Sequence, residues 1–378
     1  MTGNIYINKD ISGLHSLLLE HRRVFVIIDN NLQHIAEFFK DFPTICLELS
    51  EQKKTLATVE EISEKLLEMG ADRDAFILGV GGGITTDVTG FAASIYKRGV
   101  KFAFVPTTLL SQVDASIGGK NGVNFRSYKN ILGTITQPQW VYICPQLLAT
   151  LPQDEFKAGI AEVLKTFILF DKEYYHKAVE YFSQVAQEVA SGACSGNAAA
   201  GGADCGDAKS AAVENTTYGA VAVAKDIELL TEIIGKCAEY KSGVVERDEF
   251  EKGERRLLNL GHTFAHSIEK LTEGKISHGY AVSIGMVIAA KVACKMGAAT
   301  EDFAGMLAAD FAKVGLPAYL QDLPLTAHIK IADLAEAVKK DKKVTGDSIH
   351  FILPKGLENV EDVTVPLNVI NDIANDLC

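Results

Sequence analysis

The sequence predicts an α/β N-terminal domain with a parallel-rich sheet, followed by a mainly α-helical domain. Two observations support this fold class. In the first half, short β-branched runs such as 24–29 and 75–80 alternate with helical patterns, and these runs are too apolar for a one-sided sheet. From residue 151 onward the periodicity is helical. At 378 residues the chain is long enough for two domains, which we place at 1–150 and 151–378.

Composition and charge exclude several classes of protein. Apolar content of 47% and charged content of 23% are typical of a globular protein, and no apolar run reaches the roughly 18 residues of a membrane span. The net charge of −12 disfavours nucleic-acid binding. The N-terminus, MTGNIYINKD, lacks a secretory leader, and the seven cysteines lack paired spacing. We therefore expect a cytoplasmic protein with neither nucleic-acid nor membrane partners.

The first half reads as strands and helices in turn. The runs at 24–29, 44–49 and 75–80 are predicted strands. A helix is predicted from Thr58 to Gly70, with Thr58 as its cap and Glu61 three residues later. Alternation of this kind is typical of a parallel sheet covered on both faces.

A glycine-rich turn follows the strand at 75–80. Gly81, Gly82 and Gly83 lead into a helix that contains Asp87. Glycine lets a ligand approach the backbone, and a helix N-terminus presents free N–H groups, so the turn is a candidate site for a dinucleotide pyrophosphate. The spacing differs from G-x-G-x-x-G, and a tight turn without a ligand is the alternative.

The segment 101–130 carries polar residues in what we interpret as a loop after a strand that ends at Pro106. A loop with two cations, a carboxylate and an amide can bind hydroxyls and an anion. The alternative is a solvated loop. The residues concerned are Thr107 and Thr108, which begin a helix, and then Asp114, Lys120, Lys129 and Asn130.

Three of the nine histidines lie between 259 and 279. His262 and His266 are four residues apart and project from one helix face, and His278 follows a turn. Such a cluster is a candidate metal site, and satisfied histidines are the alternative. A protease-type H-E-x-x-H is absent, because Thr263 occupies the glutamate position. Lys241, Arg255 and Asn259 add cationic and amide groups nearby.

The predicted helix at 151–170 carries Glu162 and Lys165 on one face. By itself this pair indicates a surface salt bridge, but beside the histidines it could complete a ligand set. Residues 183–224 are rich in Ala, Gly and Ser, and we expect a mobile surface insertion there.

Long motifs in this chain resemble the 3-dehydroquinate synthase family. They include the glycine turn with Asp87, RGV at 98–100, PTTLLSQVDASIGGKNGVN, GIAEVLK, RRLLNLGHTFAH, ISHG and DKK, in the order found in the family. The resemblance implies a redox-neutral lyase of the shikimate pathway, which leads to aromatic amino acids. Such an enzyme converts 3-deoxy-D-arabino-heptulosonate 7-phosphate to 3-dehydroquinate and phosphate, by transient oxidation with NAD, phosphate elimination, reduction and intramolecular aldol closure.

The resemblance also implies roles for residues of this chain. Glu162, His262 and His278 would bind Zn(II) or Co(II), and His266 would transfer protons or position substrate. Arg98 would reach the phosphate in a neighbouring subunit, which implies a homodimer. Residues that would hold the anionic sugar phosphate are Asp114, Lys120, Asn130, Lys165, Lys241, Arg255, Asn259 and Lys342. Residues that would contact NAD are Asp29, Glu51, Lys54, Gly81, Gly82, Asp87, Thr107, Thr108, Lys129 and Thr150.

Three other functions remain open at this point. A sister sugar-phosphate cyclase would make a different carbocycle, and Asn121 departs from the threonine found in many relatives. An NAD- and metal-dependent polyol dehydrogenase would accumulate NADH. A non-catalytic scaffold would keep the fold without turnover, although all the expected ligands and cations are present.

Overall fold

The computed structural model describes residues 3–126, 128–192, 217–323, 331–339, 344–345 and 348–366. The elements of the first half are β1 (Asn4–Ile7), α1 (Leu14–Leu19), β2 (Val24–Asp29), α2 (Gln33–Ala36), β3 (Thr44–Leu47), α3 (Leu56–Glu68), β4 (Phe76–Gly81), α4 (Gly83–Ile95), β5 (Lys101–Pro106), β6 (Lys120–Phe125), β7 (Tyr128–Ile135) and β8 (Trp140–Ile143). Six strands form one sheet in the order β1-β8-β5-β4-β2-β3, and every neighbouring pair is parallel. The expected parallel sheet is confirmed.

Strand β2 shows why these runs are apolar along their whole length. Val24, Val26 and Ile28 pack into the core on one face of the sheet, and Phe25 and Ile27 pack into the core on the other. Successive side chains of a strand point to opposite faces, so a strand covered on both sides needs apolar residues at every position.

Three details of the first half differ from the sequence-based expectation. Helix α3 begins at Leu56 after Thr55, so Thr58 is not its cap, and its hydroxyl instead donates to the carbonyl of Lys53. The expected loop is a short π-helix, Ser111–Ala115, followed by the antiparallel hairpin β6–β7. The polar residues and glycines of this hairpin resemble a loop in composition, and the pairing of its two strands is not visible in the sequence.

The second half is mainly helical, as expected. Its elements are α5 (Gln153–Phe170), α6 (Lys172–Ser191), α7 (Tyr218–Lys225), α8 (Ile227–Arg247), α9 (His262–Leu271), α10 (His278–Lys295), α11 (Glu301–Lys313), α12 (Ile331–Lys339), β9 (Val344–Thr345), β10 (Ser348–Gly356) and β11 (Asn359–Pro366). The last three strands form an antiparallel sheet in the order β11-β10-β9.

Helices occupy both ends of the segment 183–224, where the sequence predicted a mobile surface insertion. Helix α6 continues to Ser191, and α7 already begins at Tyr218. Val185 and Tyr218 are buried, and the Tyr218 hydroxyl donates to the carbonyl of Phe182 at 2.7 Å. The few large apolar residues at the edges of this segment are enough to anchor helices, although its average composition is poor in them. The centre of the segment, 193–216, lies outside the described residues.

Helix α5 runs through the middle of the second half and is buried along most of its length. The core on one face of the sheet continues through Ile160 and Leu164 of this helix. Its backbone meets that of α10 where a Cβ on Gly279 would lie 2.0 Å from the carbonyl oxygen of Ala158. Within the part of the chain described here, no helix is both long enough and apolar enough to span a bilayer.

Candidate active site

Three helices bring one carboxylate and two imidazoles together. Glu162 lies inside α5, and His262 and His278 are the first residues of α9 and α10. His278 Nε2 is 3.5 Å from Glu162 Oε1, and His262 Nε2 is 4.0 Å from the same oxygen. Their three ligand atoms lie within 4.8 Å of one another. An ion at their centre would have two nitrogen ligands and one oxygen ligand, a set used by catalytic zinc sites.

Glycines allow this convergence. The absence of a side chain at Gly279 lets α10 rest on α5 beside Glu162, and a Cβ on Gly285 would lie 2.1 Å from the carbonyl oxygen of Gly261. Gly261 itself precedes α9 with a φ of +79°, a conformation that favours glycine. The two histidines are therefore placed by backbone contacts among three helices, of which α5 is far from α9 and α10 in sequence.

The carboxylate of Glu162 fits a bound cation. Both of its oxygens are buried, and among the described residues neither receives a well-directed hydrogen bond, so its contacts with Lys165 and His278 are electrostatic. Burial opposes ionisation of Glu162, but Lys165, His278 and His262 together hold its pKa well below the ordinary value. An ionised, buried carboxylate without hydrogen bonds, facing two imidazoles, suits a divalent metal.

The two imidazoles have opposite protonation preferences. Burial and the nearby ammonium of Lys165 lower the pKa of His262 well below its usual range. Burial also disfavours the charged form of His278, but its contacts with the carboxylates of Glu162 and Glu269 raise its pKa to about 10. His266 is exposed on the same face of α9, with its ring centroid 5.6 Å from that of His262. His266 is not part of the three-ligand group.

A row of alternating charges extends from Glu162 toward the sheet. Lys165 lies between Glu162 and Asp114, with its Nζ 3.9 Å from Asp114 Oδ1, and Lys241 Nζ donates to the same oxygen at 2.7 Å. Burial raises the pKa of the Asp114 carboxyl, but Lys241 and Lys165 outweigh it and lower that pKa. Burial lowers the pKa of Lys241. Two buried lysines therefore lie side by side where the ammonium groups could also bind a substrate anion.

A second polar group lies where hairpin β6–β7 faces the helices. Lys120 forms an ion pair with Glu251, whose other oxygen accepts from Asn259 Nδ2 at 2.5 Å. The Arg255 guanidinium is buried and donates to the carbonyl of Gly118 at 2.8 Å. Sequence reasoning missed Glu251, because it lies within the charged run 246–256, where one acid cannot be distinguished from its neighbours.

The glycine turn and the end of β5 are adjacent. The Thr107 amide donates to the carbonyl of Gly81 at 2.9 Å, and a Cβ on Gly82 would lie 3.0 Å from Cγ2 of Thr108. Strands β4 and β5 end side by side here, and the carboxyl ends of parallel strands are the usual location of nucleotide sites. The four residues therefore line one crevice at the start of α4.

Other residues expected to bind the nucleotide cluster beside that crevice. Lys54 is buried, forms an ion pair with Asp87 and donates to Asn130 Oδ1 at 2.6 Å. Burial raises the pKa of Asp87, although Lys54 opposes this shift. Glu51 accepts from Asn124 at 2.8 Å. Lys129 Nζ lies 3.9 Å from the Glu51 carboxylate, so β7 joins this cluster.

Three expected site residues lie outside these groups. The Asp29 carboxylate accepts from the Asn31 amide at 2.9 Å, and the Thr150 hydroxyl is 3.3 Å from His34 Nε2. Arg98 is exposed in a left-handed conformation, with a φ of +73°. Lys342 lies outside the described residues.

Comparison with known proteins agrees with this architecture. The family models for the N-terminal and C-terminal regions of 3-dehydroquinate synthase match residues 44–158 and 205–344. The 3-dehydroquinate synthase of Sulfurovum sp. is 39% identical over 365 residues, which cover 94% of this chain and 90% of that protein.

Among solved structures, 2-epi-5-epi-valiolone synthase from Streptomyces hygroscopicus, with NAD⁺ and Zn²⁺ bound, has a TM-score of 0.78 and 24% identity over 100% of this chain and 97% of that one. A 2-deoxy-scyllo-inosose synthase complexed with carbaglucose-6-phosphate, NAD⁺ and Co²⁺ has a TM-score of 0.74 and 24% identity over 99% and 96%.

The likeness to these solved structures shows the fold class, a two-domain protein with an α/β half and a mainly helical half. Within that class, the two matching family models and the curated relatives decide the assignment. The chain belongs to the 3-dehydroquinate synthase family.

Proposed function

We propose that this chain converts 3-deoxy-D-arabino-heptulosonate 7-phosphate to 3-dehydroquinate and inorganic phosphate, with NAD and Zn(II) or Co(II) as cofactors. The observation that carries the proposal is the three-ligand group of Glu162, His262 and His278 beside a row of buried lysines, in a chain of this family. When bound, NAD supplies a hydride acceptor that is later restored, and the metal supplies Lewis acidity at the reacting oxygens.

The chain's own charges explain how an anionic substrate would be held. Lys165, Lys241 and Arg255 are almost fully buried and positively charged groups that the protein now pairs internally. A substrate carboxylate and phosphate would compete for these cations in a site that excludes water, where charge-assisted hydrogen bonds are strong. We assign Asn259 and Lys120 to the substrate hydroxyls, because both converge on Glu251 at the hairpin.

His266 is the proposed proton carrier. It is exposed on the face of α9 that also bears His262, close to the ligand group. An imidazole with access to solvent can take a proton from substrate and pass it to water or to the leaving phosphate.

The first test follows phosphate and NADH together. Purified protein is mixed with NAD, Zn²⁺ and the heptulosonate phosphate, and Glu162→Gln is compared with Asp154→Asn, which removes an exposed carboxylate from the same helix. We expect phosphate release without lasting NADH in the parent and in Asp154→Asn, and none in Glu162→Gln.

Other outcomes of that test identify the alternatives. NADH that accumulates without phosphate would indicate a polyol dehydrogenase. Turnover of a different sugar phosphate, with none of the heptulosonate, would indicate a sister cyclase.

The homodimer is part of the same proposal. Arg98 is exposed, and a left-handed conformation at a non-glycine residue costs free energy that functional sites often bear. Mixing Arg98→Ala with Glu162→Gln tests it, because a mixed dimer would contain one site with an intact metal ligand set and an intact arginine from its neighbour. Recovery of activity on mixing supports an arginine that acts across the interface, and no recovery contradicts it.

A further inference from the structure

Helix α9 carries a buried acid that the sequence reasoning did not single out. Glu269 follows His262 and His266 at seven and three residues, so all three project from one side of the helix. Its side chain is only 5% exposed. A buried carboxylate is costly unless it is paired, so its partners indicate why it is there.

The first partner of Glu269 is the metal-site histidine. His278 Nδ1 lies 3.1 Å from Glu269 Oε1, while Nε2 of the same ring faces Glu162 Oε1 at 3.5 Å. A carboxylate that accepts the Nδ1 proton leaves Nε2 as the ring's ligand atom and sets the orientation of the ring. The imidazole of His278 thus lies between two carboxylates, with Nδ1 facing Glu269 and Nε2 facing Glu162.

The second partner comes from the other half of the chain. Lys129 on β7 places its Nζ 3.3 Å from Glu269 Oε1 and 3.9 Å from Glu51 Oε1. The same oxygen of Glu269 therefore receives both the imidazole and the ammonium group. This contact ties the hairpin beside the nucleotide crevice to the helix that carries the histidines, and it restrains the carboxylate where His278 needs it.

We propose that Glu269 is a positioning residue for metal binding, which orients His278 through its Nδ1–H and is itself held by Lys129. The inference rests on the proposed function in one respect, namely that a divalent cation binds at Glu162, His262 and His278. Carboxylate partners of ligating histidines raise the basicity of the ligand and reduce the ordering needed when the metal binds. Glu269 would act only through His278, without touching metal or substrate.

The test measures metal binding without turnover. Metal-free parent, Glu269→Gln and Glu273→Gln are titrated with Zn²⁺ in competition with a chelating dye, and the absorption spectrum of each Co²⁺-loaded protein is recorded. Glu273 is the matched control, because its side chain is 84% exposed four residues further along the chain. We expect Glu269→Gln to lower Zn²⁺ affinity about 10- to 100-fold and to alter the Co²⁺ spectrum, with the control unchanged.

A Glu269→Gln protein that binds Zn²⁺ as the parent does, with the same Co²⁺ spectrum, overturns the proposal. If this variant does not fold, as judged by circular dichroism, the same measurements are made on Glu269→Asp, which keeps the charge and shortens the side chain. Affinity and spectrum unchanged in Glu269→Asp would then contradict the positioning role. A parent that binds Zn²⁺ tightly yet releases no phosphate refutes the proposed function alone, and a parent that binds no Zn²⁺ refutes this inference.

Discussion

The second half of the chain is mainly helical and is called the helical half, and the first half, which contains the parallel sheet, is called the sheet half. The two halves hold their charged site residues in different ways. Glu162 and Lys165 lie within α5, with relative exposures of 0% and 1%, and are paired with each other. In the sheet half, Glu51 and Lys129 lie on a short turn and a hairpin, with side chains 39% and 43% exposed and 3.9 Å apart. The Glu162–Lys165 pair is thus part of the core, whereas the Glu51–Lys129 pair lies at the surface.

The difference shows that the contribution of an ion pair to the stability of the protein depends on its burial. Removing one partner of a buried pair leaves the other charge without compensation, which costs several kcal/mol, whereas an exposed pair contributes little. Substitutions at buried pairs such as Glu162 and Lys165 should therefore affect stability and function together, and those at exposed pairs such as Glu51 and Lys129 should affect binding alone.

The largest expected effect compares two lysines. Lys165→Met should lower the free energy of unfolding by about 3 kcal/mol, because Glu162 and Asp114 lose a buried cation. Lys129→Met should lower it by less than about 1 kcal/mol, because that side chain is 43% exposed. Urea unfolding of both metal-free proteins measures the difference. Equal losses would contradict the distinction between the two halves.

The second-largest effects are expected from substitution of a glycine in each half of the molecule. Gly279→Ala would place a Cβ 2.0 Å from the Ala158 carbonyl oxygen and push α10 away from α5. We expect a loss of about 1–3 kcal/mol in stability, together with weaker Zn²⁺ binding, because His278 moves with its helix. Thermal unfolding and a Zn²⁺ titration test both effects.

Gly81→Ala is the counterpart in the sheet half, since its Cβ would lie 2.3 Å from the Thr85 hydroxyl. This change distorts the turn into α4, so we expect weaker NAD binding with unchanged Zn²⁺ affinity. Calorimetric titration of each glycine variant with both ligands completes the comparison. If Gly81→Ala also weakened Zn²⁺ binding, the two sites would not be independent.

A smaller effect is expected at Asn121. Its Nδ2 donates to the carbonyls of Gly119 and Thr136 at 2.8 and 2.9 Å. Its Oδ1 occupies the position beside Gly90, where a Cβ would lie only 2.1 Å from it. Asn121→Thr should cost about 1 kcal/mol, the worth of a lost hydrogen bond, and leave the KM for the heptulosonate phosphate unchanged. A raised KM with unaltered stability would instead show that Asn121 bears on substrate choice.

The smallest effect is a pH dependence in the sheet half. His21 stacks on Phe76 with ring centroids 3.5 Å apart, and burial lowers the pKa of its imidazole. The unfolded chain therefore binds a proton at His21 more tightly than the folded protein does. The free energy of unfolding consequently falls as the pH drops below about 6.5 toward the lowered pKa. Melting temperatures at pH 7.5 and 5.5 should differ less in His21→Gln than in the parent or in a control variant at the exposed His176.

Local patterns predicted much of the fold. The apolar runs at β2 and β4 were recognised because a strand buried on both faces is apolar at every position. The hairpin β6–β7 was missed, because its polar residues resemble a loop until the two strands are paired. The same reasoning misplaced the boundaries at 183 and 224, where averages over composition concealed the anchors of α6 and α7.

The candidate site divides in the same way. The i, i+4 spacing of His262 and His266 could be read from the chain, and extending that spacing by one turn would have reached Glu269. No spacing could reveal that Lys129 meets Glu269, because the two residues are far apart in sequence and lie on different halves of the protein. Glu251 likewise became distinct only through its contacts with Lys120 and Asn259.

By itself, the sequence determined the fold class, the glycine turn and the residue types available for metal and anion binding, because these follow from periodicity and from the chemistry of neighbouring side chains. Only the tertiary structure decided which of those residues meet. Glu162, His262 and His278 converge because glycine contacts bring three helices together. The buried carboxylate of Glu162 stays ionised because the ammonium group of Lys165 lies beside it. Such contacts depend on distances between elements, which the order of residues along the chain does not contain.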